Sequence, residues 1–435
     1  VPEFRFPIKA DGSKHDSHIK YTVYFFLIHS NREANTMPTK KKKAPPANGN
    51  SLEKIPQEKS TEENRFPIVG IGASAGGLET LSVFFSSMPS DSNMAFVIIQ
   101  HLSPQHKSIM ASLLEKQTSM VVSEIEDGTA VKPNHVYLNP PGKNVALYNR
   151  SLHLMEPIKS SAINMPVDFF FRSLSEDLRE KAIGIILSGT ASDGTMGIRA
   201  IKGEGGMAMV QQPDTAKYDG MPRSAVETGL LDFIIPVEKM PETLIRYAQH
   251  PFLALQGKIE RPDTPIKSQI QKVFALIRGA TGHDFSHYKQ SSISRRIERR
   301  LAVHQIKTLS DYILFLQKNP AEIDILFKNL VIGVTSFFRD TEAYQVLEQE
   351  ALPELLKKKA PDAMIRFWVT GCSTGEEAYS LAMILSELMD KIKKHFNVQI
   401  FATDIDATAI EVARRGIYPE NIGVDVSPDR LKQFS

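Results

Sequence analysis

Short apolar runs alternate with helical patterns along much of this chain, and that alternation limits the fold more than any other feature. FPIVGIG (66–72), AFVIIQH (95–101), HVYLNPPG (135–142), KAIGIILSG (181–189) and MAMVQQ (207–212) are brief apolar stretches. Between them lie helically spaced segments such as LETLSVFFSSM (78–88), VDFFFRSLSEDL (167–178) and GTMGIRAIKGEGG (194–206). A strand buried on both faces reads as a continuous apolar run and needs helices to cover it. The pattern predicts a doubly wound, mostly parallel α/β sheet over residues 65–250.

After a proline-bearing linker at 251–266, the period changes. Ile270, Val273, Phe274 and Ile277 fall on one helix face, and Ile293, Ile297 and Leu301 repeat the spacing. Residues 267–345 are expected to be all-helical. A second α/β unit follows at 346–435, with AMIRFWVTG and VQIFATDID as strands around the helix EEAYSLAMILSELM. Two strands are too few for a complete parallel sheet, so this Rossmann-like domain is expected to be partial.

The N-terminal 64 residues are expected to lack order. Residues 37–64 are rich in Lys, Pro, Asn, Ser and Glu and cannot bury enough surface to offset ordering entropy. The chain starts at Val1, and Met37 opens a lysine-rich stretch that reads like a natural start, so residues 1–36 are expected to be non-native. The run YTVYFFLI (21–28) is far below the ~20 residues of a membrane helix. A net charge of +2 gives no general argument for nucleic acid, and a single cysteine, Cys372, excludes an intrachain disulfide and fits the cytoplasm. No metal site is expected: His283 and His287 stand four apart, but HDFSHY lacks the HExxH glutamate.

Strand, glycine turn, helix and strand occur in that order twice, and the two copies differ where it matters. In a dinucleotide or nucleoside site the second strand ends in an acid that accepts from ribose hydroxyls. RFWVTGCSTGEEAYS is followed by QIFATDID, which supplies Asp404. VGIGASAGG is followed by AFVIIQHLSP, which supplies His101 instead. Histidine is a poor ribose acceptor and a good general base. Gly72-Ala73-Ser74-Ala75-Gly76 also has the G-x-S-x-G form that aims a serine from a strand–helix turn. Asp193, at the end of a later strand, falls on the same sheet edge and can orient the imidazole. Backbone N–H groups at the helix start can stabilise an oxyanion. The order Ser74, His101, Asp193 departs from that of ordinary α/β-hydrolases, which disfavours a common lipase or esterase.

That order, with GIGASAGG, QHLSP, LSGTASDGTMG and YDGMPRSAV, closely resembles the catalytic domain of the CheB chemotaxis methylesterases over roughly residues 65–250. The resemblance implies hydrolysis of glutamate methyl esters on chemoreceptors, often with glutamine deamidation. Ser74 would be the nucleophile, His101 the base and Asp193 its orienter, with the backbone N–H groups of Thr190 and Ala75 at the oxyanion. The family often has Met where Thr190 stands, a change that a backbone donor tolerates. No receiver-like block precedes Phe66.

The second half resembles the CheR receptor methyltransferases through SSISRRIERRL, GVTSFFRD, CSTGEEAYSLA and ATDIDATAIEVARRGIY, over residues 268–435. This implies contacts from Thr335, Arg339, Glu376 and Asp404 to S-adenosylmethionine, and docking of an acidic receptor helix on Arg295, Arg296, Arg299 and Arg300. Gly333 stands where that family often has Asn. The expected partner is a methyl-accepting chemoreceptor or a related signalling protein, with no nucleic acid and no membrane insertion; the esterase needs no cofactor. A competing reading is a non-catalytic sensory scaffold that binds receptor-like helices and regulates a downstream module.

Overall fold

The strands read from apolar runs come together as one sheet in the first half of the protein. The structure is a computed structural model, and it describes residues 3–5, 21–27, 66–101, 110–157, 164–250, 265–360 and 363–434. In chain order the elements begin with β1 (Glu3–Arg5), β2 (Tyr21–Leu27), β3 (Ile68–Ala73), α1 (Gly77–Ser87), β4 (Ala95–Gln100), α2 (Met110–Leu114) and β5 (Val121–Glu124). Next come β6 (Thr129–Ala130), β7 (His135–Leu138), β8 (Asn144–Tyr148), β9 (Ser151–Met155), α3 (Pro166–Leu178), β10 (Ile183–Ile186) and α4 (Thr195–Gly203). The first half closes with β11 (Met207–Gln211), α5 (Gly220–Glu227), β12 (Phe233–Ile235) and α6 (Met240–Ala248).

Seven strands form a parallel sheet in the order β12-β11-β10-β3-β4-β7-β5. Successive residues of β3 serve opposite cores. Ile68 packs with Phe170, Phe171 and Leu174 of α3, whereas Val69 and Ile71 pack with Phe84 and Phe85 of α1. This two-sided burial is why the strands read as unbroken apolar runs. A Cβ at Gly72 would lie 2.4 Å from Val167 Cγ1, so glycine here lets α3 lie close against β3. The small antiparallel sheet β6-β9-β8 lies against α3 through β8.

Four helices follow: α7 (Pro265–Thr281), α8 (Gln290–Val303), α9 (Leu309–Lys318) and α10 (Pro320–Val331). Their core holds the expected faces, Ile270, Val273, Phe274 and Ile277 against Ile293, Ile297 and Leu301. Then come α11 (Thr341–Val346), α12 (Leu352–Lys357), β13 (Met364–Thr370), α13 (Glu376–Ile392), β14 (Asn397–Asp404), α14 (Ala407–Arg415), β15 (Ile417–Pro419) and α15 (Pro428–Phe434).

The expectation of no order over residues 1–64 fails at two places. β1 pairs with β15, and β2 runs parallel to β14 as the third strand of the sheet β13-β14-β2. Physically, YTVYFFL is a run of β-branched and aromatic residues, and β14 has an edge to pair. Val23 and Phe25 are buried in the second α/β core, while Tyr24 stacks on Phe401 on the opposite face. Residues 37–64 and most of the 251–266 linker lie outside the described residues.

Candidate active site and cofactor pocket

In the large sheet, β3 is flanked by β4 on one side and β10 on the other, so chain order reverses between β3 and β10. Loops diverge at such a switch point and leave a crevice beyond the carboxyl ends of the strands. Ser74 follows β3, His101 follows β4, and the loop bearing Asp193 follows β10. Topology alone therefore gathers three residues that are 119 positions apart between the first and last (193 − 74).

His101 Nδ1 lies 3.3 Å from Ser74 Oγ, and His101 Nε2 lies 3.1 Å from Asp193 Oδ2. With Asp193 ionised, Nε2 carries the proton and donates to it, which leaves the Nδ1 lone pair facing the serine hydroxyl. The Ser74 distance is long for a hydrogen bond to oxygen, as is common before substrate is bound. The Asp193 side chain is buried while about a third of the His101 side chain (34%) is exposed. The hydrogen bond to Asp193 raises the imidazole pKa above its ordinary 6.5 and outweighs the opposing effect of burial; the charges of Asp193 and Asp168 add to the rise.

Asp193 is itself held by the backbone. Its Oδ2 accepts from Val167 N–H at 2.9 Å, and its Oδ1 accepts from Asp168 N–H at 2.9 Å and Gly194 N–H at 2.8 Å. The start of α3 thus fixes the carboxylate that orients the base. Among the described residues nothing accepts from the N–H of Ala75 or Thr190, and both flank the Ser74 turn or the loop packed on it. Free donors at that place suit a developing oxyanion.

Sequence reasoning missed the groups that hold this arrangement. Ser188 O accepts from Ser74 N–H at 3.0 Å, and Ser188 Oγ donates to Ala75 O at 2.9 Å. The same hydroxyl accepts from Tyr218 N–H at 3.1 Å, and Ser188 N–H donates to Gln211 Oε1 at 3.0 Å. Buried Asn139 brackets Gln100, accepting from its N–H at 2.9 Å and donating to its carbonyl at 3.0 Å, which fixes the strand end before His101. A lone serine or asparagine at a strand end carries no sequence signal, because its partners are remote in the chain.

The second glycine turn joins β13 to α13. The N–H groups of Gly371 and Cys372 both donate to Thr403 O, at 2.7 and 3.0 Å, and Gly371 and Gly375 take left-handed backbones at φ +70° and +98°. Asp404 accepts from Ser373 N–H at 2.7 Å and Asp406 N–H at 2.9 Å. A cavity of about 480 Å³ beside the turn is walled by Thr335, Arg339, Gly371, Ser373 and Glu377. A Cβ at Gly333 would sit 2.5 Å from Ser373 Oγ, so the asparagine common in the resembling family would need Ser373 to move. Burial pushes the Cys372 thiol up to about 12, which makes it an inert filler.

Glu376 is buried, and its carboxylate accepts from Thr374 Oγ1 at 2.7 and 2.8 Å. The next residue, Glu377, is exposed and lines the cavity. The first carboxylate of a helix turns back on its own N-terminal turn, as capping chemistry favours. The arginines 295, 296, 299 and 300 are not an open docking face. Arg299 donates to Gly206 O at 2.8 Å, and Arg300 bonds both oxygens of Glu322 at 2.8 and 2.6 Å and reaches Asp232 at 3.5 Å. Arg295 faces Glu180 at 3.5 Å, and Arg296 donates to Asn329 O and Leu330 O. Gly206, Asp232 and Glu180 belong to the first half, so this helix face binds the protein's own neighbouring domain. Among the described residues no group of side chains could hold a metal ion, and no helix is long and apolar enough to cross a membrane.

A doubly wound sheet with a serine–histidine–aspartate chain at its switch point is of serine-hydrolase type, joined here to a helical unit and a second, Rossmann-like one. Residues 69–244 match the family described as CheB methylesterase. Residues 268–331 match the all-alpha domain of CheR methyltransferase, and 333–435 its SAM binding domain. A putative protein-glutamate methylesterase/protein-glutamine glutaminase of Leptospira interrogans is 32% identical over 42% of this chain and 96% of its own length. A chemotaxis protein methyltransferase of Borreliella burgdorferi is 34% identical over 36% of this chain and 56% of its own. An uncharacterized 104.1 kDa protein of Rhodobacter capsulatus is 33% identical across 75% of this chain, and the match spans 36% of that protein. The chain belongs to the CheB methylesterase family and carries CheR methyltransferase domains beyond it.

Proposed function

We propose that the first half hydrolyses glutamate methyl esters on a methyl-accepting receptor or related signalling protein. The observation that carries this reading is the hydrogen-bond chain Asp193–His101–Ser74 at the sheet's switch point. Ser74 Oγ attacks the ester carbonyl while His101 Nδ1 takes its proton. The N–H groups of Thr190 and Ala75 receive the oxyanion. The imidazolium, steadied by Asp193 at Nε2, returns the proton to the leaving methoxide, and methanol departs. Water activated by His101 then frees the glutamate carboxylate. A glutamine side-chain amide can follow the same path with ammonia as the leaving group.

The second half supplies the reverse modification in this reading. S-adenosylmethionine, when bound, provides an activated methyl group. The residues around the 480 Å³ cavity fit its polar ends. Arg339 is exposed, and among the described residues it bonds its own loop at Val334 O, which leaves donors for a carboxylate. Glu377 offers an acceptor for an ammonium, Thr335 a hydroxyl, and Asp404 at the strand end retains acceptor sites for ribose hydroxyls. Methanol release from a methylated receptor tests the esterase. Wild-type protein is expected to release methanol, and Ser74→Ala to release none while keeping its circular dichroism spectrum. Equal release from both proteins overturns the assignment.

A further inference from the structure

The two halves meet along a cleft that neither could form alone. One wall is α3 and α4 of the esterase half, and the other is the 334–345 segment of the methyltransferase half. Its volume is about 790 Å³. It adjoins the cavity beside the second glycine turn, since Thr335, Arg339 and Tyr344 line both. At the other end it runs into a second cavity of about 610 Å³, which shares Arg172 and Asp425 with it and reaches Met165 and Asp168 at the start of α3. The walls are held close. A Cβ on Gly203, the last residue of α4, would fall 1.7 Å from Val334 Cγ2.

Among the described charges that line the cleft, Glu176, Arg339 and Asp340 are exposed and make no ion pair, and Arg199 is the one guanidinium that is both sheltered and unpaired. Arg172 pairs with Asp425 at 2.9 Å, and Arg430 pairs with Glu387 at 2.7 Å and Glu348 at 3.6 Å. Arg199 of α4 is half-buried, and no hydrogen bond or ion pair joins it to any described residue. Burial lowers its pKa, while Glu376 and Asp406 of the methyltransferase half act on it through space without reaching ion-pair distance. A sheltered guanidinium without a partner is an anion site in waiting, because a carboxylate can take two of its donors at once.

We propose that this cleft receives an acidic helical segment of the substrate protein, and that Arg199, from the esterase half, holds a glutamate carboxylate of that segment beside the methyltransferase loop. A segment of protein suits the site better than free glutamate, because the two joined cavities extend well beyond the space one amino acid fills. The esterase half thereby acts as a specificity element for its neighbour. It rests on the reading of the chain as a receptor glutamate esterase and methyltransferase.

The test is fluorescence anisotropy with the whole chain and two tagged, glutamate-rich helical peptides that differ by one Glu-to-Gln change at the central position. The Glu peptide is expected to bind about tenfold tighter than its Gln counterpart, the worth of one charge-assisted pair. Arg199→Gln is expected to erase that difference. Reaction of Ser74 with a fluorophosphonate, unchanged in Arg199→Gln, reports that the variant is folded. Retained discrimination by Arg199→Gln, no binding of either peptide, or saturation by free glutamate at peptide-like affinity would each overturn the proposal. Methanol release that persists alongside such a result leaves the esterase reading standing and sinks the cleft alone.

Discussion

At the scale of the residue, the base His101 decides the pH behaviour. Its pKa is raised by Asp193, so the folded state favours imidazolium, and that contribution to stability is complete below the ordinary value of 6.5 and fades as pH rises through the higher folded value. Catalysis has the opposite sign, because the attack needs neutral imidazole. The profile of kcat/KM against pH is therefore expected to rise through an apparent pKa above 6.5. Asp193→Asn removes the largest cause of the shift, so its acid limb should move down while kcat falls by about 10⁴; stopped-assay methanol measurements across pH check both. Ser188 makes a different prediction. Ser188→Ala leaves Tyr218 N–H without its acceptor and frees the Ala75 carbonyl. A stability loss of about 1–3 kcal/mol in urea titration is expected, with kcat falling more than KM rises. The gathering of Ser74, His101 and Asp193 at one sheet edge was legible in the sequence because the first two directly follow strong strands and the third lies in the loop after another. Ser188 and Asn139 were not, since their hydrogen bonds span 30 and 39 positions in sequence.

At the scale of the element, five strands of the large sheet and the helices of the middle domain follow the written periodicities closely, whereas β5 and β12, the two edge strands, were not read. The glycines of VGIGASAGG carried two messages, of which sequence conveyed one. Gly76, at φ +73°, makes the turn into α1. Gly72 also makes room for Val167, a contact with a helix almost a hundred residues away. Gly72→Val should overpack this site and cost about 1–3 kcal/mol or more, read as a lower midpoint in thermal unfolding. Strand β2 shows the opposite failure. Its apolar run was visible as YTVYFFL, but composition around it argued for disorder, and the partner β14 lies far along the chain. Glu376 and Glu377 show a third limit, because adjacent acids at a helix start differ in burial by a single step around the helix.

At the scale of the whole molecule, three of the four arginines that read as an external docking face, Arg295, Arg299 and Arg300, bond the protein's own first half, and Arg296 bonds within the helical domain. Asp232, which Arg300 reaches, has a fully sheltered side chain bonded by Lys202 at 2.6 Å. Burial alone would raise this carboxyl, but Lys202, Arg299 and Arg300 outweigh it and hold it down at about 2. Asp232→Asn leaves buried Lys202 without its carboxylate, so a loss of about 3–5 kcal/mol is expected, seen as a drop in melting temperature with the two halves unfolding separately. No single-sequence pattern distinguishes a solvated arginine face from one matched to a neighbouring domain. The central claim nevertheless rests on the first half alone, and it is tested most directly by mass spectrometry of the protein after reaction with a fluorophosphonate. The account predicts one adduct per chain, located on the peptide bearing Ser74, abolished by His101→Ala and by Ser74→Ala. An adduct on another residue, or none on wild-type protein with its fold intact, would contradict it.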